Sequence, residues 1–145
     1  MTAITELVCA LSLNRESRVV IAVAAYPRDG WTGELEKIDQ LLSRVLSLLT
    51  AHGGRSFRIM HGQGVALMEG EGDAALIVQD AMASCVSPEV EVRALMVPIT
   101  GSRNAEWLDD LLGDLSVRGN FGRFSQEPVT RLIDGRLVSA PESNQ

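Results

Sequence analysis

The chain has 145 residues, of which 46% are hydrophobic and 22% charged, a composition typical of one globular domain that excludes a disordered or low-complexity chain. Nineteen acidic residues against thirteen basic ones give a net charge of −6, which disfavours nucleic acid as a partner, and no apolar run is long enough to span a membrane. Cys9 and Cys85 have no CxxC spacing and are expected to be buried, reduced thiols, and the absence of signal-peptide features predicts a cytoplasmic protein.

The first third of the chain predicts a helix, a strand and a longer helix. Residues 4–13 fit the apolar spacing of either a helix or a strand, and their leucine and alanine content favours the helix. The β-branched run from Arg18 to Tyr26 is typical of a buried strand. From Thr32 to Thr50 apolar residues recur at helical spacing, with Thr32 as the expected N-cap.

A hairpin and another helix follow. The runs Arg55–His61 and Gly64–Glu69 are separated by Gly62-Gln63, which is typical of a β-hairpin. The next helix is expected to begin after an Asp73 cap and to continue to Cys85. The side chains expected to be buried on this helix are Leu76, Ile77, Ala81 and Ser84.

The second half of the chain predicts a strand, a helix and a last hairpin. From Val90 to Pro98 apolar residues alternate with other side chains, as in a strand. Asn104 is the expected N-cap of a helix with one apolar stripe, formed by Trp107, Leu108, Leu111, Leu112 and Leu115. Asp134-Gly135, between Val129–Ile133 and Arg136–Val138, predicts a hairpin with a type I′ turn.

The order of these elements predicts an α+β fold. From residue 18 to 98 the order is strand, helix, strand, strand, helix, strand, which is the ferredoxin-like βαββαβ arrangement of a sheet with two helices on one face. An N-terminal segment and a C-terminal helix and hairpin lie outside it. We expect one domain over residues 1–145, with a kernel at 18–110, additions at 1–17 and 111–140, and a frayed tail at 141–145.

No motif in the chain has the spacing of a catalytic or metal-binding site. His52 and His61 are not joined by any ligand motif. No serine lies in a nucleophile motif, and the glycine-rich turns lack the lysine of a phosphate-binding loop. We therefore predict no catalytic residue and no metal site.

Three segments of the chain carry a resemblance to a known family. They are Val65-Ala66-Leu67-Met68-Glu69-Gly70, the helical stretch Ile77-Val78-Gln79-Asp80, and the run from Val90-Glu91-Val92 through Pro98-Ile99 to Arg103-Asn104-Ala105-Glu106-Trp107. In their order and spacing they resemble the hairpin strand, helix and following strand of blue-light-using-flavin (BLUF) sensor domains. The resemblance covers about residues 18–110, and the fold that it implies is ferredoxin-like.

The resemblance implies a flavin between the two helices of that fold, and at several of the pocket positions this chain lacks the family's polar residues. The pocket positions implied are Ala24, Ala66, Asp80, Met82 and Trp107. The family has a tyrosine near Ala24, a glutamine at Ala66 and an arginine at Met82. Alanine can neither supply an electron and a proton nor rearrange an amide hydrogen bond. We therefore expect no cofactor and no flavin photochemistry.

The leading functional hypothesis is a cytoplasmic, BLUF-like sensory or regulatory domain. It would act through contacts with a protein partner or with a second copy in a homo-oligomer, and neither nucleic acid nor a membrane is expected as a partner. Residues 1–16 and 104–140 are the candidate contact surfaces. Both segments are equally well explained as structural elements that only cover the second face of the sheet and bind no partner.

Two alternatives belong to other functional classes. A blue-light photoreceptor would bind FAD or FMN, with Tyr26 and Gln63 replacing the family's tyrosine and glutamine. The odd offset of Gln63 from the family position points it to the opposite face of its strand. A small dimeric, ferredoxin-like enzyme would instead hold His61, Arg58 or Tyr26 in a pocket between the sheet and the helices.

Overall fold

Four α-helices and a six-stranded antiparallel sheet form an α+β arrangement in the computed structural model, which describes residues 2–28, 35–51, 53–69, 74–116, 124 and 126–138. The helices are α1 (Ala3–Leu13), α2 (Leu35–Thr50), α3 (Ala74–Ala83) and α4 (Ala105–Ser116). The strands are β1 (Ser17–Pro27), β2 (Arg55–Met60), β3 (Gln63–Glu69), β4 (Val90–Thr100), β5 (Thr130–Ile133) and β6 (Arg136–Val138). Within these ranges, no helix is both long and apolar enough to cross a bilayer.

The sheet has the strand order β2-β3-β1-β4-β5-β6, and every neighbouring pair is antiparallel. At its centre, β1 pairs along its whole length with β4, from Ser17 opposite Thr100 to Pro27 opposite Val90. On its other side β1 pairs with β3. This arrangement is compatible with the ferredoxin-like order predicted for β1 to β4, extended at one edge by the C-terminal hairpin.

Helices cover both faces of the sheet, so the protein has two apolar cores. In the first, α2 and α3 pack on alternate residues of the strands, including Ile21 of β1. In the second, α1 and α4 pack on the other residues, including Val20. Successive side chains of a strand point to opposite faces. A central strand between two helical layers is therefore apolar throughout, which explains why Val19 to Ala25 are all buried.

Several local predictions are confirmed. Residues 4–13 are helical in α1. The backbone amide of Trp107 donates to Oδ1 of Asn104 at 2.9 Å, which is the predicted N-cap of α4. Asp134 and Gly135 have φ angles of 52° and 87°, as a type I′ turn requires. The apolar stripe of α4 is buried as predicted.

The prediction for α3 is wrong in its end point and for Leu76 and Ser84, which are exposed, whereas Ala81 is buried as predicted and Ile77 is partly buried. The helix ends at Ala83 instead of continuing to Cys85, and Leu76 is 56% exposed. The residues that it buries are Ala74, Val78, Ala81 and Met82. Its sequence is apolar on almost every side, so periodicity alone does not determine which side faces the sheet.

The expectation that both cysteines are buried holds for Cys85 and is wrong for Cys9. Leu7 and Leu11, one helical turn apart, form the buried side of α1. Cys9 lies between them in sequence, about 200° around the helix from Leu7 at 100° per residue, and so points to solvent.

Some predicted features fall outside the described residues. These are the expected caps Thr32 and Asp73, residue His52, and the tail from residue 141. The predicted kernel boundary at residue 110 falls inside α4, which runs without interruption from Ala105 to Ser116.

Candidate functional site

The α2/α3 face of the sheet is where the BLUF resemblance implies a flavin. Ala66 of β3 and Met82 of α3 lie in the core on this face, and neither has exposed surface. Ala66 is directly opposite Ile21 of β1, so an aliphatic side chain lies beside it. Asp80 is exposed on the outer side of α3. The two buried positions therefore present an alanine and a methionine, neither of which can donate a hydrogen bond to a flavin.

The other positions suggested for a flavin lie on the opposite face, next to α4. Ala24 and Trp107 belong to the core formed with α1 and α4. Tyr26 is two residues beyond Ala24 and points the same way, and its hydroxyl donates a hydrogen bond to the carbonyl oxygen of Leu115 in α4. Gln63 is directly opposite Ala24 and shares its face. The positions named from the sequence are thus divided between two faces and do not line one cavity.

Trp107 is the centre of a polar cluster at the start of α4. Its indole Nε1–H donates to Oε2 of Glu127 at 2.7 Å, and the same carboxylate accepts two hydrogen bonds from the guanidinium of Arg103. That guanidinium lies 5.8 Å from the centre of the Trp107 ring, and Phe124 meets the ring edge-on at 5.7 Å. The hydrogen bond to Glu127 raises the pKa of Arg103 above its ordinary value. Together these contacts attach Phe124 and Glu127 to α4.

A second polar cluster joins α2 to the β2–β3 turn. Oδ2 of Asp39 accepts from Nδ1 of His61 at 2.6 Å, and Oδ1 accepts from Nη2 of Arg58 at 3.0 Å and from the Gly62 amide at 3.4 Å. The hydrogen bond from His61 is the main reason why the pKa of Asp39 lies below its ordinary value. A histidine oriented by a carboxylate can exchange a proton at its other ring nitrogen. The His61 side chain is 64% exposed, so this group lies on the outer surface.

Replacing His61 by alanine should raise the pKa of Asp39 toward its ordinary value, because the largest cause of its lowering is removed. The folded-state pKa of Asp39 is below its unfolded-state value. Its ionised form therefore stabilises the fold above the unfolded-state pKa, and this contribution is lost as the pH falls through the folded-state pKa. NMR titration of the Asp39 side-chain carboxyl carbon measures the shift.

The matched control for this titration is Arg58→Ala. It should raise the pKa of Asp39 by less, because the charge of Arg58 is the smallest of the causes that lower it. If Asp39 has the same pKa in the wild-type protein and in His61→Ala, the Asp39–His61 pair does not form in solution.

The sequence patterns do not point to Glu127 or Asp39. Glu127 is 20 residues beyond Trp107, and Asp39 is 19 residues before Arg58, so no local motif relates them. What the sequence does indicate concerns the burial of individual residues. Trp107 lies on an apolar helical stripe, and its predicted burial is confirmed at 5% exposure.

The two clusters and the two apolar cores define the molecule as an α+β domain with a pair of helices on each face of its sheet. In the described part of the chain, no three His, Cys, Asp or Glu side chains are grouped so that they could bind a metal ion together. Comparison of the chain with protein-family models, curated proteins and solved structures finds no match.

Proposed function

We propose that this chain is a BLUF-like regulatory domain of the cytoplasm that acts through protein–protein contacts and performs no flavin photochemistry. In this proposal β1 to β4, α2 and α3 form a ferredoxin-like unit. The strand order β2-β3-β1-β4 and the packing of both helices on one face support that assignment. The free thiols of Cys9 and Cys85 are what a reducing compartment would maintain.

The single observation that carries the proposal is the apolar environment of Ala66 and Met82. These positions correspond, by resemblance, to the family's flavin-contacting glutamine and arginine, and here both are fully buried among aliphatic side chains. A flavin on this face would leave polar edges without partners, at a cost of about 1–3 kcal/mol for each buried group. The residues present therefore do not fit the family's cofactor.

The photoreceptor alternative needs Tyr26 and Gln63 to replace the family's residues. Both lie on the α1/α4 face, whereas the flavin of the family lies between the other two helices. The Tyr26 hydroxyl is already bonded to Leu115, and the guanidinium of Arg93 lies 5.4 Å from the centre of its ring. These contacts favour a structural role for Tyr26 and support the regulatory proposal.

The enzyme alternative needs polar groups that converge in a pocket between the sheet and the helices. His61 and Arg58 do converge, on Asp39, while Tyr26 lies on the other face of the sheet. The hollow beside them, of about 530 Å³, is an open surface depression lined also by Leu35 and Glu36. A catalytic pocket normally excludes much of the solvent. This open geometry therefore favours a structural role, in which the polar cluster holds α2 against the β2–β3 turn, over an enzyme.

The proposal predicts that the purified native protein is colourless and unchanged by light. Its absorption spectrum should show the aromatic band alone, and its mass should be that of one or two polypeptides with no added flavin, before and after incubation with excess FAD or FMN and removal of free ligand. The measurement is an absorption spectrum in darkness and under blue illumination, with native mass spectrometry on the same sample.

A protein that retains flavin and shifts its absorption under blue light would overturn the proposal. In that case Tyr26→Phe identifies the photoreceptor alternative, because a phenylalanine cannot supply the phenolic proton and the light-induced shift should disappear. A free-flavin solution of equal concentration is the control for photochemistry that does not involve the protein.

A further inference from the structure

The outer side of α4 carries negative charge that no basic residue of the described part of the chain neutralises. The helix contains four acidic residues and no basic one, and Glu106, Asp109 and Asp110 are exposed. Asp110 accepts a hydrogen bond from Gln126. Within the described residues, Glu106 and Asp109 have no hydrogen bond or ion pair through their carboxylates. We call these two residues the α4 acidic patch.

A groove at the end of α1 carries the opposite charge. It has a volume of about 500 Å³, lies beside the ends of β1, β2 and β3, and is lined by Arg15, Arg18 and Arg55 together with Glu16 and Glu69. The carboxylate of Glu16 is paired with Arg18 at 2.8 Å. We call the three arginines and their surroundings the arginine groove.

Two guanidinium groups of the arginine groove have no acidic partner in the described part of the chain. Arg55 lies over the ring of Phe57 at 4.8 Å and makes no ion pair, and Arg15 is exposed without a hydrogen bond or ion pair. In a chain of net charge −6, a local excess of arginine is a marked departure from the average surface. Such a groove attracts an acidic surface.

The arginine groove and the α4 acidic patch lie on the same side of the sheet. Arg18 is two residues before Val20 and therefore shares the α1/α4 face, and Arg55 is opposite Leu67, which packs in the same core. The end of α1 is also tied to the segment before α4, because the Arg103 amide donates to the Leu11 carbonyl oxygen at 3.0 Å. The arginine groove and the start of α4 therefore lie at the same end of one helical layer.

We propose that the α1/α4 layer binds a second copy of this chain, with the arginine groove of each copy facing the α4 acidic patch of the other. A two-fold axis that lies in the interface plane, between the arginine groove and the α4 acidic patch, forms both contacts at once and closes the assembly as a dimer. This inference rests on the proposed function, which requires a protein partner, and identifies that partner.

The surface favours a second copy because it carries both charges on one helical layer. A nucleic acid or an acidic peptide could use the arginine groove but would be repelled by Glu106 and Asp109. The two helices have 11 and 12 residues and are about 16 and 18 Å long. An interface of that extent belongs to the small, weak class, so the dimer is reversible and depends on charge.

Sedimentation equilibrium of the full chain tests the dimer. At about 0.1 M salt, where the Debye length is about 10 Å, the protein should dimerise, and at about 1 M salt, where it is about 3 Å, the dissociation constant should rise at least about tenfold. Arg15→Glu/Arg55→Glu and Glu106→Arg/Asp109→Arg should each be monomeric at the lower salt. An equimolar mixture of the two variants should dimerise again, because each restores an opposite charge to the other.

The matched control is Lys37→Glu/Arg44→Glu on α2, which changes the net charge by the same amount as the arginine-groove variant but lies on the other side of the sheet. It should dimerise like the wild type. Circular dichroism checks the fold of every variant. If charge reversal in α4 unfolds the protein, Glu106→Gln/Asp109→Asn should still raise the dissociation constant by several-fold.

Several results would overturn the dimer. They are a wild-type protein that stays monomeric at low salt, a dimer insensitive to salt and to both charge reversals, and a mixture of the variants that stays monomeric. A wild-type monomer that binds a synthetic acidic peptide through the arginine groove would assign the groove to a different partner. Retained flavin would overturn the proposed function without affecting any of these measurements.

Discussion

Replacing Leu108 by alanine should lower the free energy of unfolding by about 2–5 kcal/mol. Leu108 has no exposed surface and lies in the core between the sheet, α1 and α4. Its truncation removes apolar contact and leaves a cavity that the sheet cannot close, because Val20 and Leu95 are held in place by strand pairing. Urea unfolding followed by circular dichroism measures the change.

Two further variants make the Leu108 measurement specific. Leu13→Ala, on α1, should change the free energy of unfolding by less than about 0.5 kcal/mol, because that side chain is 76% exposed. Leu42→Ala, on α2, should cost as much as Leu108→Ala, since Leu42 is equally buried in the other core. A loss below about 1 kcal/mol for Leu108→Ala would mean that α4 is a dispensable cover of the sheet.

Replacing Glu127 by alanine should lower the free energy of unfolding by about 1–3 kcal/mol and change the fluorescence of Trp107. The indole Nε1–H of Trp107 loses its acceptor, and Trp107 is 5% exposed. The guanidinium of Arg103 loses its carboxylate partner and keeps its hydrogen bonds to the carbonyl oxygens of Thr100 and Ser102. The effect should stay below that of breaking a fully buried ion pair, because the side chains of Arg103 and Glu127 are 20% and 18% exposed and retain some hydration.

The matched control for Glu127 is Glu89→Ala. Glu89 is also a carboxylate in an ion pair, with Lys37 at 2.9 Å, but both side chains are well exposed. Its loss should change the free energy of unfolding by less than about 1 kcal/mol. Equal losses in the two variants, or an unchanged Trp107 emission spectrum in Glu127→Ala, would show that the cluster at the start of α4 does not form in solution.

The success of sequence-based prediction differed between elements for physical reasons. The α4 helix was predicted with its cap and its buried stripe, because Asn104 marks its start and an apolar residue every three or four positions defines one side that faces the core. For α3 the burial of Ala81 was predicted, but Leu76 was wrongly expected in the core, since the ten residues of this helix are nearly all apolar and Leu76 is as hydrophobic as Val78. There the sheet and the β5–β6 hairpin select the side that is buried.

The candidate site shows the same division. The alternation of side chains along a strand correctly predicted that Gln63 faces away from the family position at Ala66. No pattern predicted that Tyr26 bonds to Leu115 or that Trp107 bonds to Glu127, because each pair joins residues from distant parts of the chain. The sheet register and the docking of α4 bring those pairs together.

The amino-acid sequence by itself determined the negative net charge, the order of the helices and strands, the turns and most of the buried stripes. Periodicity, caps and turn residues act over a few neighbouring positions and can be recognised without the fold. Only the tertiary structure decided that the helices form two layers, that the positions suggested for a flavin are divided between two faces, and that the arginine groove and the start of α4 lie at the same end of one layer. These features depend on strand register and helix docking, which set distances between residues that are far apart in the chain.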